Sequence, residues 1–249
     1  ATTTAANGTI TPGYSFGKSE ALWSPRVGLL FQPSETQSYY VSFGTSYNTS
    51  GDAYQFTPGS PNNTLANTPA EKSRNLEIGA KWELFDRRLS FGSALFYSEK
   101  YNERNQDPDS AATQYLLSGK RHAAGVEFNA AGRITPAWEL FWNHTWIPIA
   151  KIDKSNQPLA AGGGGPQVQG DRPGLTPRHS GSLWTTYRLL PKLRLGLGAN
   201  YRSSQSPDGS RAVKAAGFVT WDAMAEYSFT EATTLRLNVT NLTNKLYAD

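Results

Sequence analysis

Alternate residues from Leu193 to Tyr201 read Leu193, Leu195, Leu197, Ala199 and Tyr201, while Arg194, Gly196, Gly198 and Asn200 lie between them. A β-strand turns successive side chains to opposite faces, so this segment has one greasy face ending in an aromatic ring and one polar or bare face. The same period recurs elsewhere. Leu76, Ile78, Ala80, Trp82 and Leu84 alternate with Asn75, Glu77, Gly79, Lys81 and Glu83. Tyr39, Val41, Phe43, Thr45 and Tyr47 alternate with Ser38, Tyr40, Ser42, Gly44 and Ser46. Val126, Phe128 and Ala130 alternate with Glu127, Asn129 and Ala131, and Leu235, Leu237 and Val239 with Thr234, Arg236 and Asn238. Two architectures use such strands. A membrane barrel has lipid on one side and water on the other; a soluble β-sandwich packs one face into a core.

Strand length and loop length favour the barrel. Turn residues divide the chain into about ten segments near 23–31, 37–47, 73–85, 88–105, 113–134, 137–150, 178–190, 193–204, 217–229 and 233–242. Soluble strands have a mode of about 5–6 residues, whereas a tilted membrane strand needs about 9–11. At about 3.3 Å per residue, segment 113–134 would reach roughly 70 Å, beyond any bilayer, and would project outside the cell. The connections alternate between tight turns, such as Asp86-Arg87, Thr135-Pro136 and Pro191-Lys192, and long loops at 48–72, 106–112, 151–177 and 205–216. Short turns at one end and long loops at the other are the asymmetry of outer-membrane barrels. Trp138, Trp142 and Trp146 share a face, as do Tyr39 and Tyr47, which suits the membrane interfaces.

Composition narrows the alternatives. Only 38% of the 249 residues are hydrophobic, and no run approaches the roughly 18–20 apolar residues of a spanning helix. The absence of cysteine excludes a disulfide scaffold, a thiolate metal site and a cysteine nucleophile. The net charge of +4 is mild and scattered, so no nucleic-acid footprint is expected. The start, Ala1-Thr2-Thr3-Thr4, has neither a signal peptide's pattern nor an initiator methionine, so a processed chain or a piece of a longer one is expected.

Enzymatic signals are weak. His122, His144 and His179 lack zinc spacing, and His144 falls on the outward face beside Trp142 and Trp146. No Gly-x-Ser-x-Gly occurs. Gly162 to Gly165 reads as a loop tip, since no Gly-Lys-Ser/Thr follows, and Asp107-Pro108-Asp109 reads as a solvated turn rather than a calcium site. Neither an enzyme nor a protein-bound metal or cofactor is expected.

Several segments, in order, resemble TonB-dependent siderophore receptors. They are Trp23-Ser24-Pro25-Arg26-Val27-Gly28-Leu29-Leu30-Phe31-Gln32-Pro33; Glu71-Lys72-Ser73-Arg74-Asn75-Leu76-Glu77; Gly125-Val126-Glu127-Phe128; Thr176-Pro177-Arg178-His179; and Leu237-Asn238-Val239-Thr240-Asn241-Leu242-Thr243-Asn244-Lys245-Leu246-Tyr247. The likeness is to the catecholate-type ferric siderophore receptors. It implies an all-β fold, about ten antiparallel strands of a 22-stranded transmembrane barrel, with residues 1–249 a single partial domain from the barrel's C-terminal portion. Against the family's pattern, the N-terminal plug with its TonB box and the last strand have no counterpart in these residues, so the resemblance implies a C-terminal fragment whose ten strands would form an open arc and would not be expected to transport alone.

The resemblance further implies a bacterial outer-membrane location, TonB-driven import, and as partners a ferric siderophore of catecholate type, the receptor's own plug, the TonB complex through that plug, and outer-membrane lipid and lipopolysaccharide. Iron would enter only as ferric siderophore. A ferric tris-catecholate is anionic and ring-bearing, so outside-loop and upper-wall cations and aromatics are candidate contacts: Tyr54, Phe56, Tyr101, Arg104, Tyr115, Arg121, Arg172, Arg202, Arg211 and Lys214. Glu77, Lys81, Glu83, Glu127, Arg194, Arg202 and Arg236 are expected to face the lumen and seat the plug. A self-closing porin or adhesin, a receptor for haem, cobalamin or oligosaccharide, and a soluble sandwich or sugar-binding module remain alternatives.

Overall fold

The alternating segments form one antiparallel sheet in a computed structural model of the chain. The structure describes residues 3–4, 10–11, 19–49, 70–106, 115–156, 168–207 and 211–247. The strands are β1 (Thr3–Thr4), β2 (Ile10–Thr11), β3 (Arg26–Ser34), β4 (Gln37–Asn48), β5 (Glu71–Leu84), β6 (Leu89–Gln106), β7 (Tyr115–Thr135), β8 (Trp138–Lys154), β9 (His179–Leu190), β10 (Leu193–Arg202), β11 (Phe218–Ser228) and β12 (Thr234–Val239). β3 to β12 pair in sequence order as a ten-stranded meander with edges at β3 and β12. β1 and β2 form a separate two-stranded hairpin, which the sequence reading did not anticipate.

Register fixes the faces. Leu195 lies opposite Tyr187 and Ala225, and Leu197 opposite Thr185 and Ala223, so the greasy positions of three strands share one side. On the same side Ile78 faces Val41 and Leu95, and Leu95 faces Val126. The opposite side carries Glu77, Lys81, Glu127, Arg194 and Arg236.

This sheet has no second layer. Among the described residues no large side chain is fully buried, whereas Leu29, Ile78, Leu95, Ile149 and Leu235 on the greasy face are each more than half exposed. Burying one such side chain stabilises by about 1.5–3 kcal/mol. A soluble sandwich would have covered this face with a second sheet; here it stands open along the whole meander, as a lipid-facing wall does.

Five tight turns join β3–β4, β5–β6, β7–β8, β9–β10 and β11–β12 at one end. In the β5–β6 turn Phe85, Asp86 and Arg87 all take left-handed φ angles of 51°, 55° and 64°, a conformation that non-glycine side chains adopt rarely. Arg87 pairs there with Glu35 of the neighbouring turn.

Candidate ligand-binding face

At the end bearing the long loops, β6, β7 and β8 run on for 18, 21 and 17 residues. The extensions of β6 and β7, together with β3 to β5 and the β8–β9 loop, build a groove on the polar face. Its volume is about 840 Å³, and it lies between the wall of β3 to β7 and residues Pro173, Gly174 and Thr176. Ser42, Ser46, Ser73, Ser98 and Asn75 line the wall, with Arg26, Lys100 and Arg121 as the cations that register places on the polar face; Arg74 also borders the groove.

Two of these cations are already paired. Lys100 Nζ lies 3.1 Å from Glu71 Oε2 and 3.4 Å from Glu103 Oε1. Arg121 Nη2 lies 2.9 Å from Glu103 Oε1. Both glutamates are buried, so each needs a charged partner to offset lost hydration. A local irregularity brings Glu103 to this network. Asn102 takes φ 54°, and register shifts between Tyr101 and Glu103.

The β8–β9 loop is held by its own arginine. Arg172 Nε donates to Thr176 O at 2.7 Å, and Nη2 donates to Ile147 O at 2.6 Å and Pro177 O at 3.2 Å. Burial lowers the pKa of this guanidinium, and the neighbouring Arg178 lowers it further. The backbone N–H of Ile152 donates to Asp171 O, and that of Gly170 to Ile152 O, both at 2.8 Å. Asp171 then accepts two hydrogen bonds of 2.7 Å from Arg211 in the β10–β11 loop, which raises the Arg211 pKa. Leu175 N–H donates to Ser206 O at 2.8 Å. The two loops are thus clasped over one end of the sheet.

The candidate contacts separate accordingly. Arg121 lines the groove, Arg172 braces the loop beside it, and Arg211 clasps that loop from its neighbour. Lys214 is exposed on the β10–β11 loop. Arg202 lies on the polar face, its guanidinium 5.1 Å from the Phe218 ring centroid. Tyr101 is on the other face, with Lys72 Nζ 5.6 Å from its ring centroid. Tyr54, Phe56, Gly162 to Gly165 and Asp107 to Asp109 lie outside the described residues, as do the side chains of Arg104 and Tyr115. Arg26, Lys100 and the serine wall were missed by reading loops first; the two-residue period alone places all of them on the polar face.

The histidines lie on the greasy side. His144 bonds the Tyr201 hydroxyl and stacks on Trp142, and His179 stacks on Trp146. Among the described residues no group of three His, Cys, Asp or Glu side chains could hold a metal ion. Toward the tight turns the polar face carries Glu139, whose Oε1 is 3.0 Å from Arg133 and Oε2 3.4 Å from Arg194.

Comparison with known proteins gives this arrangement a lineage. Residues 1–242 match the model of the TonB dependent receptor-like β-barrel. The chain is 31% identical over 229 residues to the siderophore receptor PiuA of Acinetobacter baumannii, covering 89% of this chain and 30% of that protein. It is 30% identical over 240 residues to the catecholate siderophore receptor Fiu of Escherichia coli K12, covering 90% of this chain and 29% of that protein. The crystal structure of PiuA superimposes with a TM-score of 0.75 at 29% identity, over 89% of this chain and 32% of that one. The closed form of Fiu does so with a TM-score of 0.73 at 28% identity, over 89% and 31%. The chain therefore spans about a third of the length of these relatives, and its open, two-faced sheet is part of a barrel wall. It belongs to the TonB-dependent receptor β-barrel family.

Proposed function

We propose that residues 1–249 form one partial domain, the C-terminal part of a receptor barrel in the bacterial outer membrane that imports ferric siderophores of the catecholate class. The observation that carries this reading is the hydroxyl-lined, cation-bearing groove on the polar face at the loop end, backed by a greasy face. The likeness to PiuA and Fiu supports the cargo. Serine hydroxyls and Asn75 suit a ligand rich in oxygen acceptors, and Arg26 suits its negative charge. Iron is held by the siderophore's own oxygens, so the wall supplies hydrogen bonds and charge rather than metal ligands, and no cofactor of its own. Energy comes from the TonB complex through a plug domain seated against Glu127, Arg194 and Arg236. No step of this reading is enzymatic.

Uptake of iron-55-labelled ferric catecholate by whole cells tests it. Deleting the gene for the full receptor lowers uptake, and complementation restores it only when TonB is present. Unaltered uptake after deletion would overturn the cargo. Uptake independent of TonB would point to a passive pore.

A further inference from the structure

Three side chains on the greasy face meet across strands where the wall passes into the loops. His144 of β8 and Tyr201 of β10 both lie opposite Gly181 of β9, and His179, which opens β9, lies opposite Trp146. Gly181 has no side chain to separate them. A Cβ there would sit 2.5 Å from the Tyr201 hydroxyl, so the bare position lets Tyr201 reach over β9 and bond His144 Nδ1. The other ring nitrogen, His144 Nε2, is left facing His179 Nδ1 at 3.5 Å. The two ring centroids are 5.5 Å apart and the planes differ by 21°. The nitrogens are thus closer than the centroids by nearly two ring radii, so they point at each other instead of lying one above the other. Trp142 lies parallel to His144 within 2°, and Trp146 to His179 within 8°, which holds both imidazoles in place.

Two imidazole nitrogens aimed at one gap have two uses. A single proton can bridge them as a neutral hydrogen bond, which is weak where water competes. A metal ion can replace that proton. With bonds of about 2.0–2.1 Å to nitrogen, an ion spans the 3.5 Å gap at an angle of about 115–120°, near tetrahedral, and the exposed His179 ring tilts to meet it. The exchange balances. His144 stays neutral as its proton moves from Nε2 to Nδ1, where it is donated to the Tyr201 oxygen, and His179 keeps its proton on Nε2. A hydrogen bond of this kind to the second nitrogen fixes the tautomer and aim of a metal-bound histidine. Water completes the shell, since His179 is exposed at the start of its strand. Imidazole suits copper, zinc and nickel, with copper(II) held most tightly, whereas magnesium takes oxygen ligands.

We propose that His144 Nε2 and His179 Nδ1, oriented by Tyr201, form a site for a late first-row divalent metal ion that clips β8 to β9 at the loop end of the wall. The pair lies on the greasy side, away from the serine wall of the groove, so the ion is neither cargo nor a participant in import, and the proposal stands apart from the siderophore reading. Full-length receptor with its plug, in neutral detergent and stripped with chelator, is titrated with copper(II) and followed by calorimetry and electron paramagnetic resonance. The unaltered receptor binds one equivalent whose spectrum carries splitting from two imidazole nitrogens. H144Q and H179Q each weaken that equivalent at least ten-fold and lose the two-nitrogen pattern. H179Q alters an exposed side chain and leaves the bond between His144 and Tyr201 in place, and heat-modifiable gel mobility reports an intact barrel. Zinc(II) raises the urea unfolding midpoint of the unaltered receptor but of neither variant, because binding to the folded state alone stabilises it, and magnesium(II) moves none of them. Undiminished copper affinity in folded H179Q would overturn the proposal and leave the pair a plain hydrogen bond. So would a zinc shift of equal size in the unaltered receptor and the variants, or a magnesium shift as large as that of zinc.

Discussion

Strands β9, β10 and β11 are 12, 10 and 11 residues long, whereas β6, β7 and β8 are 18, 21 and 17. The first group is close to the roughly 9–11 residues that a tilted strand needs to cross a bilayer. In β10 the greasy face runs from Leu193 to Tyr201, and the loop follows at once. The second group goes well beyond that span, and its excess is polar on both faces. One face carries Glu99 with Arg74 and Lys120; the other carries Glu103 with Lys100 and Arg121. Two-sided polarity means water on both sides. The difference teaches that one continuous two-residue period can pass through two solvents, and that the residue types on its outward positions mark where lipid ends.

The sharpest way to break this comparison is a charge in the middle of a short strand. Leu197→Arg in the full receptor places a cation against hydrocarbon and costs about 2–4 kcal/mol in urea unfolding from lipid vesicles, whereas Asn200→Arg on the polar face costs under about 1 kcal/mol. Equal costs would contradict the assignment of faces. Next come the extensions. Glu103→Ala leaves Lys100 and Arg121 without their shared carboxylate, and Glu99→Ala separates Arg74 from Lys120. Each costs about 1–3 kcal/mol by the same measurement, because both acids are buried within their networks.

The clasp between loops sharpens the functional side. Asp171→Asn weakens the bidentate contact with Arg211. Hydrogen exchange in 168–177 and 211–216 speeds up, the dissociation constant for ferric siderophore rises three- to ten-fold, and the unfolding midpoint stays put. The smallest effect belongs to the exposed pair Arg236–Glu226 on β12 and β11, where Arg236→Gln changes stability by no more than about 0.5 kcal/mol.

Much of this fold was legible in the alternation. All ten strands of the meander were placed, and the departures have local causes. β3 extends to Ser34 through Pro33, which an edge strand tolerates because no neighbour needs its missing N–H. β8 continues to Lys154 rather than stopping at 150, since a register shift between Ala124 and Val126 of β7 takes up Ile147 and Pro148.

The site was less legible. Strict alternation would put Glu103 on the face of Glu99 and Tyr101, and only the left-handed turn at Asn102 carries it to Lys100 and Arg121. Nor could the bare positions of β10 explain themselves. A Cβ on Gly198 would sit 2.6 Å from Trp184 Cε3, so these glycines make room for a ring on the neighbouring strand. Candidate contacts chosen from the loops favoured cations such as Arg211, whose charge Asp171 already meets; the in-wall serines and Arg26 follow from the period itself.

The most direct test of the two-solvent wall is a nitroxide scan of β10, one cysteine at a time from Leu193 to Arg202, in the full receptor reconstituted in lipid. Collision rates with molecular oxygen, which concentrates in hydrocarbon, and with a water-soluble nickel chelate are compared at each position. The account predicts a two-residue oscillation with oxygen maxima at 195, 197 and 199 and minima at 194, 196, 198 and 200. A flat profile, or maxima at the even positions, would contradict it.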